Sequence, residues 1–194
     1  MPASGPSEAS AHDVIVRTAA PEDLAALRDI YAHYVLHSTA TFEEVPPTRD
    51  EWRRRMAEIA AQGLPLLAAE AGGVIAGYAY GTRWRSRTAY RHTIEDSVYV
   101  APGAVGRGIG SLLLRELLIR CAAAGRKQVI AVIADGAEAP ASVALHRRHG
   151  FDDAGRLVAV GFKHGCWLDT ILMQRSLDGG DAMPGTPSRG QEQA

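Results

Sequence analysis

The chain has 194 residues, with 21 basic and 22 acidic side chains and a formal net charge of −1. This length favours a single domain, and the balance of 46% hydrophobic to 22% charged residues is that of a soluble globular protein with a sizeable core. A net charge so close to zero provides no overall field that would attract nucleic acid or an anionic membrane, so neither is expected as a partner.

The two cysteines, Cys121 and Cys166, are far apart and show no C-x-x-C spacing. They argue against a disulfide scaffold and favour the reducing cytoplasm. Residues 1–13 have no signal-peptide pattern, and no apolar stretch reaches the roughly 18–20 residues that a membrane span needs. Residues 1–13 and 178–194 are rich in small, polar and charged residues, and we expect them to be disordered tails around one domain of residues 14–177.

The hydrophobic pattern between the tails predicts an α/β (α+β) domain in the order β-α-α-β-β-β-α-β-α-β-β. Pro21 and Thr48 carry the start signals of the first two helices, and Gly125 ends the third. The predicted strands are 14–17, 66–71, 74–84, 93–100, 128–134, 153–161 and 166–176, and the predicted helices are 21–36, 48–62, 109–124 and 140–149.

A glycine-rich turn joins a predicted strand to a leucine-rich helix. Gly106, Gly108 and Gly110 let a ligand approach the backbone closely, and the N–H groups and dipole of the following helix favour a phosphate. A flexible turn without a ligand is the alternative interpretation. A dinucleotide-binding fingerprint would need a glycine in place of Ser111, and the G-K-[ST] of a P-loop is absent, so both of these nucleotide sites are disfavoured.

Several motifs carry a resemblance to a known family. The run V-x-V-x-P…G-x-G-I-G and the segment S-x-x-L-H-x-x-x-G-F (142–151) resemble the GNAT superfamily of N-acetyltransferases. The resemblance extends over residues 14–177. More narrowly, four stretches resemble its phosphinothricin/methionine sulfoximine acetyltransferase subgroup: S-T-A-T-F-E (38–43), W-R-S-R-T-A-Y (84–90), E-D-S-V-Y-V (95–100) and G-F-K-H-G-C-W-L-D-T-I-L-M-Q-R (161–175).

The resemblance implies the GNAT fold, a mixed and mostly antiparallel sheet with two central parallel strands that splay apart, flanked by helices. It also implies acetyl-CoA as co-substrate, held in the notch between those strands. The pantetheine arm and thioester would lie along Val98, Tyr99 and Val100. The pyrophosphate would lie on the turn, formed by Gly106, Arg107, Gly108, Ile109, Gly110 and Ser111.

Two positions depart from the family pattern. Val105 stands where the family usually has Gln or Arg, and Ala139 stands where it usually has Asn. We expect one side-chain contact to the cofactor to be missing and acetyl-CoA to bind more weakly, while the backbone cradle for the phosphates survives.

Acetyl transfer needs a base for the amine and an acid for the departing thiolate. The resemblance places the base at Glu95, acting with a pKa raised by burial or through a water; a strand-end salt bridge is the alternative. His146 stands where the subgroup carries a histidine near the sulfur and is the candidate acid, with a surface or capping role as the alternative. His146 and His149 have spacing that suits a metal, but no third ligand accompanies them, so no metal is expected.

An arginine-rich stretch precedes Glu95. Arg85, Arg87 and Arg91 could hold a carboxylate or phosphinate with paired N–H groups, and a solvated basic loop is the alternative. The resemblance adds further residues to the acceptor site, namely Thr88, Ala89 and Tyr90 beside the arginines, and Phe42 and Glu43 as the closing segment.

The leading hypothesis is an enzyme that acetylates the α-amine of a small amino acid or analogue, of the phosphinothricin, methionine sulfoximine or methionine sulfone type. Neither cysteine stands where the resemblance places a catalytic residue, so no acyl-enzyme is expected. The alternatives are an acetyltransferase for a protein N-terminus or polyamine, and a non-catalytic acyl-CoA-binding module. The subgroup implies a homodimer, and Lys163 and His164 could serve either the site or the dimer contact.

Overall fold

The computed structural model describes residues 14–177, so both predicted tails lie outside the described residues. Within this range the elements follow in the predicted order. The strands are β1 (Val14–Thr18), β2 (Leu66–Ala71), β3 (Val74–Arg83), β4 (Thr93–Val100), β5 (Gln128–Ala134), β6 (Asp152–Lys163) and β7 (Cys166–Ser176), and the α-helices are α1 (Leu24–His37), α2 (Arg49–Ala61), α3 (Ile109–Ala123) and α4 (Ala139–Arg148).

The strands of the described chain form one mixed sheet in the order β1-β2-β3-β4-β5-β7-β6. Neighbours pair antiparallel except at the centre, where β4 and β5 are parallel. A parallel pair needs a crossover connection, which α3 supplies here. The sheet confirms the predicted mixed α/β fold with two central parallel strands.

Helices cover both faces of the sheet, and β3 shows which helices lie on which face. Gly77 faces α3, since a Cβ there would lie 3.1 Å from Leu113. Side chains alternate along a strand, so Tyr78 faces the other side, where its ring lies 5.7 Å from that of Trp52 in α2. Tyr31 of α1 joins them there, 5.6 Å from the Trp52 ring.

A notch opens between β4 and β5. The parallel register covers four residue pairs and ends with Asp96 and Ala131. Beyond that pair, β4 continues beside β3 to Val100, and β5 continues beside β7 to Ala134. The two central strands therefore separate, as predicted.

The predicted boundaries agree with the structure to within one to three residues. The first turn of the predicted helix 21–36 is a 3-10 turn, Pro21–Asp23, and the α-helix begins at Leu24. The Asp23 carboxylate accepts a hydrogen bond from the Ala20 N–H at 2.7 Å and pairs with Arg17 at 2.6 Å, which holds the tighter turn. Within residues 14–177, no helix is long and apolar enough to cross a membrane.

Replacing Gly77 by alanine is expected to lower the free energy of unfolding by roughly 1–3 kcal/mol through overpacking. The added Cβ would lie 2.9 Å from the Tyr99 carbonyl oxygen and against α3. Gly103→Ala is the matched control, because nothing lies within 4 Å of a Cβ at that position. Urea unfolding measures both variants, and equal midpoints would contradict this account of the packing.

Candidate active site

Backbone groups of β4 line the notch beyond its last pair with β5. The Ala101 N–H donates to the Ala76 carbonyl oxygen at 2.9 Å. Because antiparallel hydrogen bonding alternates along a strand, Tyr99 also directs its backbone groups to β3. Val98 and Val100 therefore turn theirs towards the notch.

Aromatic side chains of α1 brace this part of β4. The Tyr34 hydroxyl donates to the Val100 carbonyl oxygen at 2.6 Å, and burial raises the pKa of that hydroxyl. The Tyr99 ring lies on the α1 side, 5.1 Å from the Tyr31 ring and 5.3 Å from the Tyr34 ring. The Val100 carbonyl is thus engaged within the protein, and the Val100 N–H faces the notch.

Two glycines shape the turn before α3. Gly106 and Gly108 have φ angles of 83° and 79°, in the left-handed region that favours glycine. Gly108 is the N-cap of α3, and its carbonyl accepts from the Ser111 N–H at 3.0 Å. The N–H groups of Gly108, Ile109 and Gly110 therefore lie outside the helix's own hydrogen bonds, at the end where the helix dipole favours an anion.

The start of α3 is fastened to α4. A Cβ at Gly110 would lie 3.5 Å from Leu145 and 3.6 Å from Val100, so glycine allows the elements to pack closely here. The Ser111 hydroxyl lies 2.7 Å from His149 Nε2. Burial, with nearby arginine charges, lowers the pKa of His149. The neutral ring can accept a hydrogen bond from Ser111, which commits that hydroxyl to α4.

The side chains around the turn differ in exposure. Arg107 is partly exposed between the two left-handed glycines, whereas Ile109 is buried and anchors the first turn of α3. Val105 is exposed, and Ala139 is buried at the start of α4. Neither Val105 nor Ala139 carries a polar side-chain atom, so the groups of this turn that can bind an anion are the backbone N–H groups and the Arg107 guanidinium.

Glu95 lies on β4, one residue before the last pair with β5, and its side chain points to the α1 and α2 side. It is half-buried. Burial raises the pKa of Glu95, the charge of Asp96 raises it further, and the charge of Arg85 acts in the opposite direction. A carboxylate with a raised pKa is the stronger proton acceptor, which suits a general base.

A polar cluster surrounds Tyr80 on the same face of the sheet as Glu95. Burial raises the pKa of the Tyr80 hydroxyl, which interacts with Ser97 and with the charges of Arg55, Glu43 and Glu95. The Arg55 guanidinium forms an ion pair with Glu43 at 2.8 Å. The cluster therefore brings a cation and two carboxylates around one tyrosine, an arrangement able to bind a zwitterion.

The segment carrying Phe42 is held against β6. The Phe42 ring fills the space over Gly161, because a Cβ there would lie 2.0 Å from the ring. Lys163 is buried, and its Nζ donates to the Thr41 carbonyl at 2.7 Å and to the Tyr34 carbonyl at 3.4 Å. Burial lowers the pKa of Lys163. This lysine thus ties the Phe42 segment and α1 to the end of β6.

The predicted arginine-rich stretch is exposed. Arg87 and the 3-10 turn Thr88–Tyr90, which includes Ala89, are all open to solvent. The Arg85 guanidinium lies over the Trp84 ring, 4.6 Å from its centroid. Among the three predicted arginines, Arg85 is the one whose charge lowers the pKa of Glu95.

His146 lies on the opposite face of β4 from Glu95 and is buried. Its Nε2 is 3.0 Å from Asp96 Oδ2, and its Nδ1 is 2.7 Å from the Ser142 carbonyl oxygen. Burial acts to lower the pKa of His146, but the hydrogen bond and charge of Asp96 and the Ser142 carbonyl together raise it above its ordinary value. The alternative of a surface histidine is therefore wrong.

Three contacting residues were not singled out from the sequence. Arg55 follows Trp52 by three positions, a spacing that places both on one helix face, so a signal for it was present. No sequence pattern signalled Tyr34 or Asp96, because their partners are distant along the chain. Tyr34 bonds a carbonyl 66 residues away, and Asp96 bonds a histidine 50 residues away.

A further depression of the described chain lies away from the candidate residues. Within residues 14–177, no group of three or more potential metal ligands lies together. An open depression of about 550 Å³ lies between α2 and the start of α1, lined by residues such as Leu24, Met56 and Leu66. It contains none of the candidate residues, so the candidate site is the notch together with the cluster around Tyr80.

The fold and the notch define a class of protein. The family model described as acetyltransferase (GNAT) family matches residues 26–151, which include the notch, the glycine turn and His146. The chain belongs to the GNAT acetyltransferase family.

Within this family, the chain is similar to relatives with a named activity. The chain is 51% identical over 166 residues to a phosphinothricin N-acetyltransferase of Alcaligenes faecalis, covering 86% of this chain and 84% of the relative. It is 37% identical to an L-methionine sulfoximine/L-methionine sulfone acetyltransferase of Salmonella typhimurium, with 84% and 94% covered. The crystal structure of a GNAT superfamily phosphinothricin acetyltransferase from Sinorhizobium meliloti in complex with AcCoA matches with a TM-score of 0.84 and 46% identity, over 92% of this chain and 95% of that one.

Proposed function

We propose that this protein is an N-acetyltransferase that moves the acetyl group of acetyl-CoA directly to the α-amine of a small amino acid or analogue, of the phosphinothricin, methionine sulfoximine or methionine sulfone type. One observation carries the proposal. Glu95, with its raised pKa, lies on β4 just before the strand opens into the notch, where Val98 and Val100 present backbone groups. The names of the relatives support the same reaction.

The residues of the notch and turn fit acetyl-CoA, which supplies the acetyl group as a thioester at the end of an arm attached to a pyrophosphate. We assign the pyrophosphate to the backbone from Gly106 to Gly110 and to the Arg107 guanidinium, since Gly106 and Gly108 leave open space beside the backbone. We assign the arm and thioester to the residues 98–100. Ser111 serves by holding the turn in shape, because its N–H and hydroxyl are both bonded within the protein.

The catalytic roles follow from the two faces of β4. Glu95 accepts a proton from the ammonium of the acceptor, directly or through a water, so that the amine is neutral when it attacks. The Val100 N–H donates to the carbonyl oxygen as negative charge develops on it. His146 is the acid on the opposite face, where its proton can pass to the departing thiolate.

The acceptor is held on the Glu95 side of the sheet. We assign its carboxylate or phosphinate to Arg85, whose planar guanidinium can donate two parallel hydrogen bonds. The charge of Arg85 acts to lower the pKa of Glu95, which indicates that the two side chains are near each other. Phe42 and Glu43 close the pocket from the segment that Lys163 secures. The remaining predicted residues form the exposed rim of the pocket, namely Arg87, Thr88, Ala89 and Tyr90.

We propose further that the protein works in the cytoplasm as a homodimer. The exposed thiol of Cys166, unpaired in the structure, suits a reducing compartment. The hairpin of β6 and β7 exposes an apolar strip, in which Val158 is 73% and Trp167 is 68% accessible. Phe162 and Trp167 pair across it with 5.2 Å between ring centroids. A second copy that covers this strip would bury it and also cap the free edge of β6.

The proposed reaction is tested by the release of free CoA from acetyl-CoA with methionine sulfoximine, methionine sulfone, phosphinothricin, ordinary amino acids, spermidine and a short peptide as acceptors. We expect release to depend on the amino-acid analogues. Glu95→Gln should lower kcat by about 10²- to 10⁴-fold and leave the Kd of acetyl-CoA unchanged. The pKa of Glu95 is raised above the usual glutamate value, so the wild-type rate should rise with pH through that raised pKa. The rate of Glu95→Gln should not show this rise.

Three outcomes would contradict the proposal. Acetyl-CoA binding without acceptor-dependent release would leave only a binding module. Release with spermidine or peptide alone would move the activity to another acceptor class. Unchanged turnover of Glu95→Gln would remove that residue from the mechanism.

Gly108→Ala is expected to weaken acetyl-CoA binding by roughly 10-fold, about the value of one backbone hydrogen bond. The control is Gly63→Ala at the end of α2. Both glycines have positive φ, 79° and 62°, with open space beside them, so each substitution should lower the free energy of unfolding by roughly 1–2 kcal/mol. Calorimetric titration measures the Kd of acetyl-CoA for both variants. Equal Kd values would show that the cofactor does not bind at this turn.

Val158→Asp is expected to convert a dimer into a monomer, because a carboxylate would be buried without a partner in the covered strip. Ile15→Asp is the matched control, since Ile15 is an exposed apolar residue on β1 at the other edge of the sheet. Sedimentation of the two variants and the wild type measures the mass. A monomeric wild type, or a dimeric Val158→Asp, would refute this interface.

A further inference from the structure

Both ring nitrogens of His146 face hydrogen-bond acceptors. Nδ1 lies 2.7 Å from the Ser142 carbonyl oxygen, which can only accept, so Nδ1 carries a proton. Nε2 lies 3.0 Å from Asp96 Oδ2, and a proton must lie between those two atoms as well. The ring edge is closed by Phe151, whose centroid is 4.9 Å away at an interplanar angle of 87°.

The second proton belongs to the histidine. The ordinary pKa of an imidazole exceeds that of an aspartic acid by more than about two units, so the charged pair is the natural state of two such groups in contact. Both side chains are almost completely buried, 6% exposed for His146 and 1% for Asp96. Breaking the pair by neutralising one partner would leave an uncompensated buried charge, which is strongly unfavourable.

The pair lies at the base of the notch. Asp96 and Ala131 are the last residues that join β4 to β5, so the His146 ring is one residue pair from the point at which the strands part. The remaining carboxylate oxygen, Asp96 Oδ1, is buried and has no hydrogen-bond partner in the described part of the chain. Of the two carboxylate oxygens of Asp96, only Oδ2 has a hydrogen-bond partner within the described residues, and that partner is His146.

We propose that Asp96 is a positioning residue that keeps His146 doubly protonated at the point where β4 and β5 separate. The catalytic consequence of this inference rests on the proposed function. In that reaction, the CoA thiolate that departs into the notch meets a positively charged His146 ring. When the proton moves, the Nε2–H group exchanges Asp96 Oδ2 for the sulfur: the Nε2–H bond breaks, an S–H bond forms, and the electron pair stays on Nε2. The attacking nitrogen loses its second proton as the intermediate collapses to the amide, and a proton equivalent to it returns to Nε2 through solvent. Glu95 releases to solvent the first proton, which it took from the ammonium.

Three other titratable groups interact electrostatically with His146 or Asp96. Glu95 adjoins Asp96 on β4, and the Asp96 charge raises its pKa. On α3, burial and the charge of Asp96 raise the pKa of the Cys121 thiol to about 12, so it stays neutral. His149, at the end of α4, has a lowered pKa and is neutral at the pH of the experiments.

The first test uses the free protein. In ¹⁵N-histidine-labelled wild type at pH 7, both ring nitrogens of His146 should give the shifts of protonated nitrogens. In Asp96→Asn, the amide donates to Nε2, so the ring should be neutral with its proton on Nδ1 alone. A neutral His146 in the wild type at pH 7 would overturn the proposal, whether or not any variant folds and whether or not any amine is acetylated.

The second test is kinetic. Asp96→Asn should lower kcat by about 10- to 100-fold, with less than a 3-fold change in either KM, and should shift the alkaline limb of the pH–rate profile to lower pH. Asp153→Asn is the matched control, since it removes the carboxylate that pairs with Arg147 on the exposed side of α4 at 2.8 Å. It should change neither the ring shifts nor the rate.

A double variant separates positioning from a general loss of structure. His146→Gln keeps a donor towards Asp96 but no proton to give, and Asp96→Asn added to it should lower kcat no further. Additive losses, or an unchanged pH profile in Asp96→Asn, would show that Asp96 acts independently of His146 and would overturn the assignment.

Discussion

The separation of β4 from β5 is the constraint on which the site depends. β5 remains paired with β7 to its end, so it cannot also follow β4 beyond Asp96. Backbone groups of β4 past that point have lost their partner strand, and buried backbone groups must find another. Tyr34 satisfies the carbonyl of Val100, while the other groups face a notch in which a ligand can complete the ladder. The early end of the parallel pair thus leaves open the backbone groups that the proposed function assigns to the cofactor.

The two-residue period of β4 explains how two carboxylates that are neighbours in sequence enter different surroundings. Glu95 and Asp96 are neighbours in sequence, yet their side chains leave opposite faces of the strand. Glu95 enters the polar cluster on the α1 and α2 side, where its pKa rises. Asp96 enters the α3 and α4 side, where it lies 3.0 Å from His146 Nε2. In the proposed reaction, one strand therefore separates the proton acceptor from the proton donor by the thickness of the sheet.

Much of this fold could be predicted from the sequence because its signals are local. Helical spacing, Thr48 as a cap and the glycine positions fixed the elements to within one to three residues, and the motif of the turn indicated a phosphate-binding helix start. The contacts that complete the site are not local. Lys163 reaches Thr41 across 122 residues, and His146 reaches Asp96 across 50. Neither contact leaves a pattern within a short window, because both depend on which strands become neighbours in the sheet.

The two halves of the candidate site differ in the groups that form them, mostly main chain in one and side chains in the other. Substitutions therefore affect the two halves differently. In the proposed function, the cofactor half consists of the Arg107 guanidinium and of main-chain groups whose direction depends on backbone angles, above all the positive φ of Gly106 and Gly108. Side chains such as Val105 can therefore vary there without removing the donors. The acceptor half consists of side chains brought together from distant segments, including the ion pair of Arg55 with Glu43. Under the proposed function, keeping the turn would preserve cofactor binding, whereas the choice of amine would rest on a few side chains around Glu95 and Tyr80 that can change while the fold stays the same.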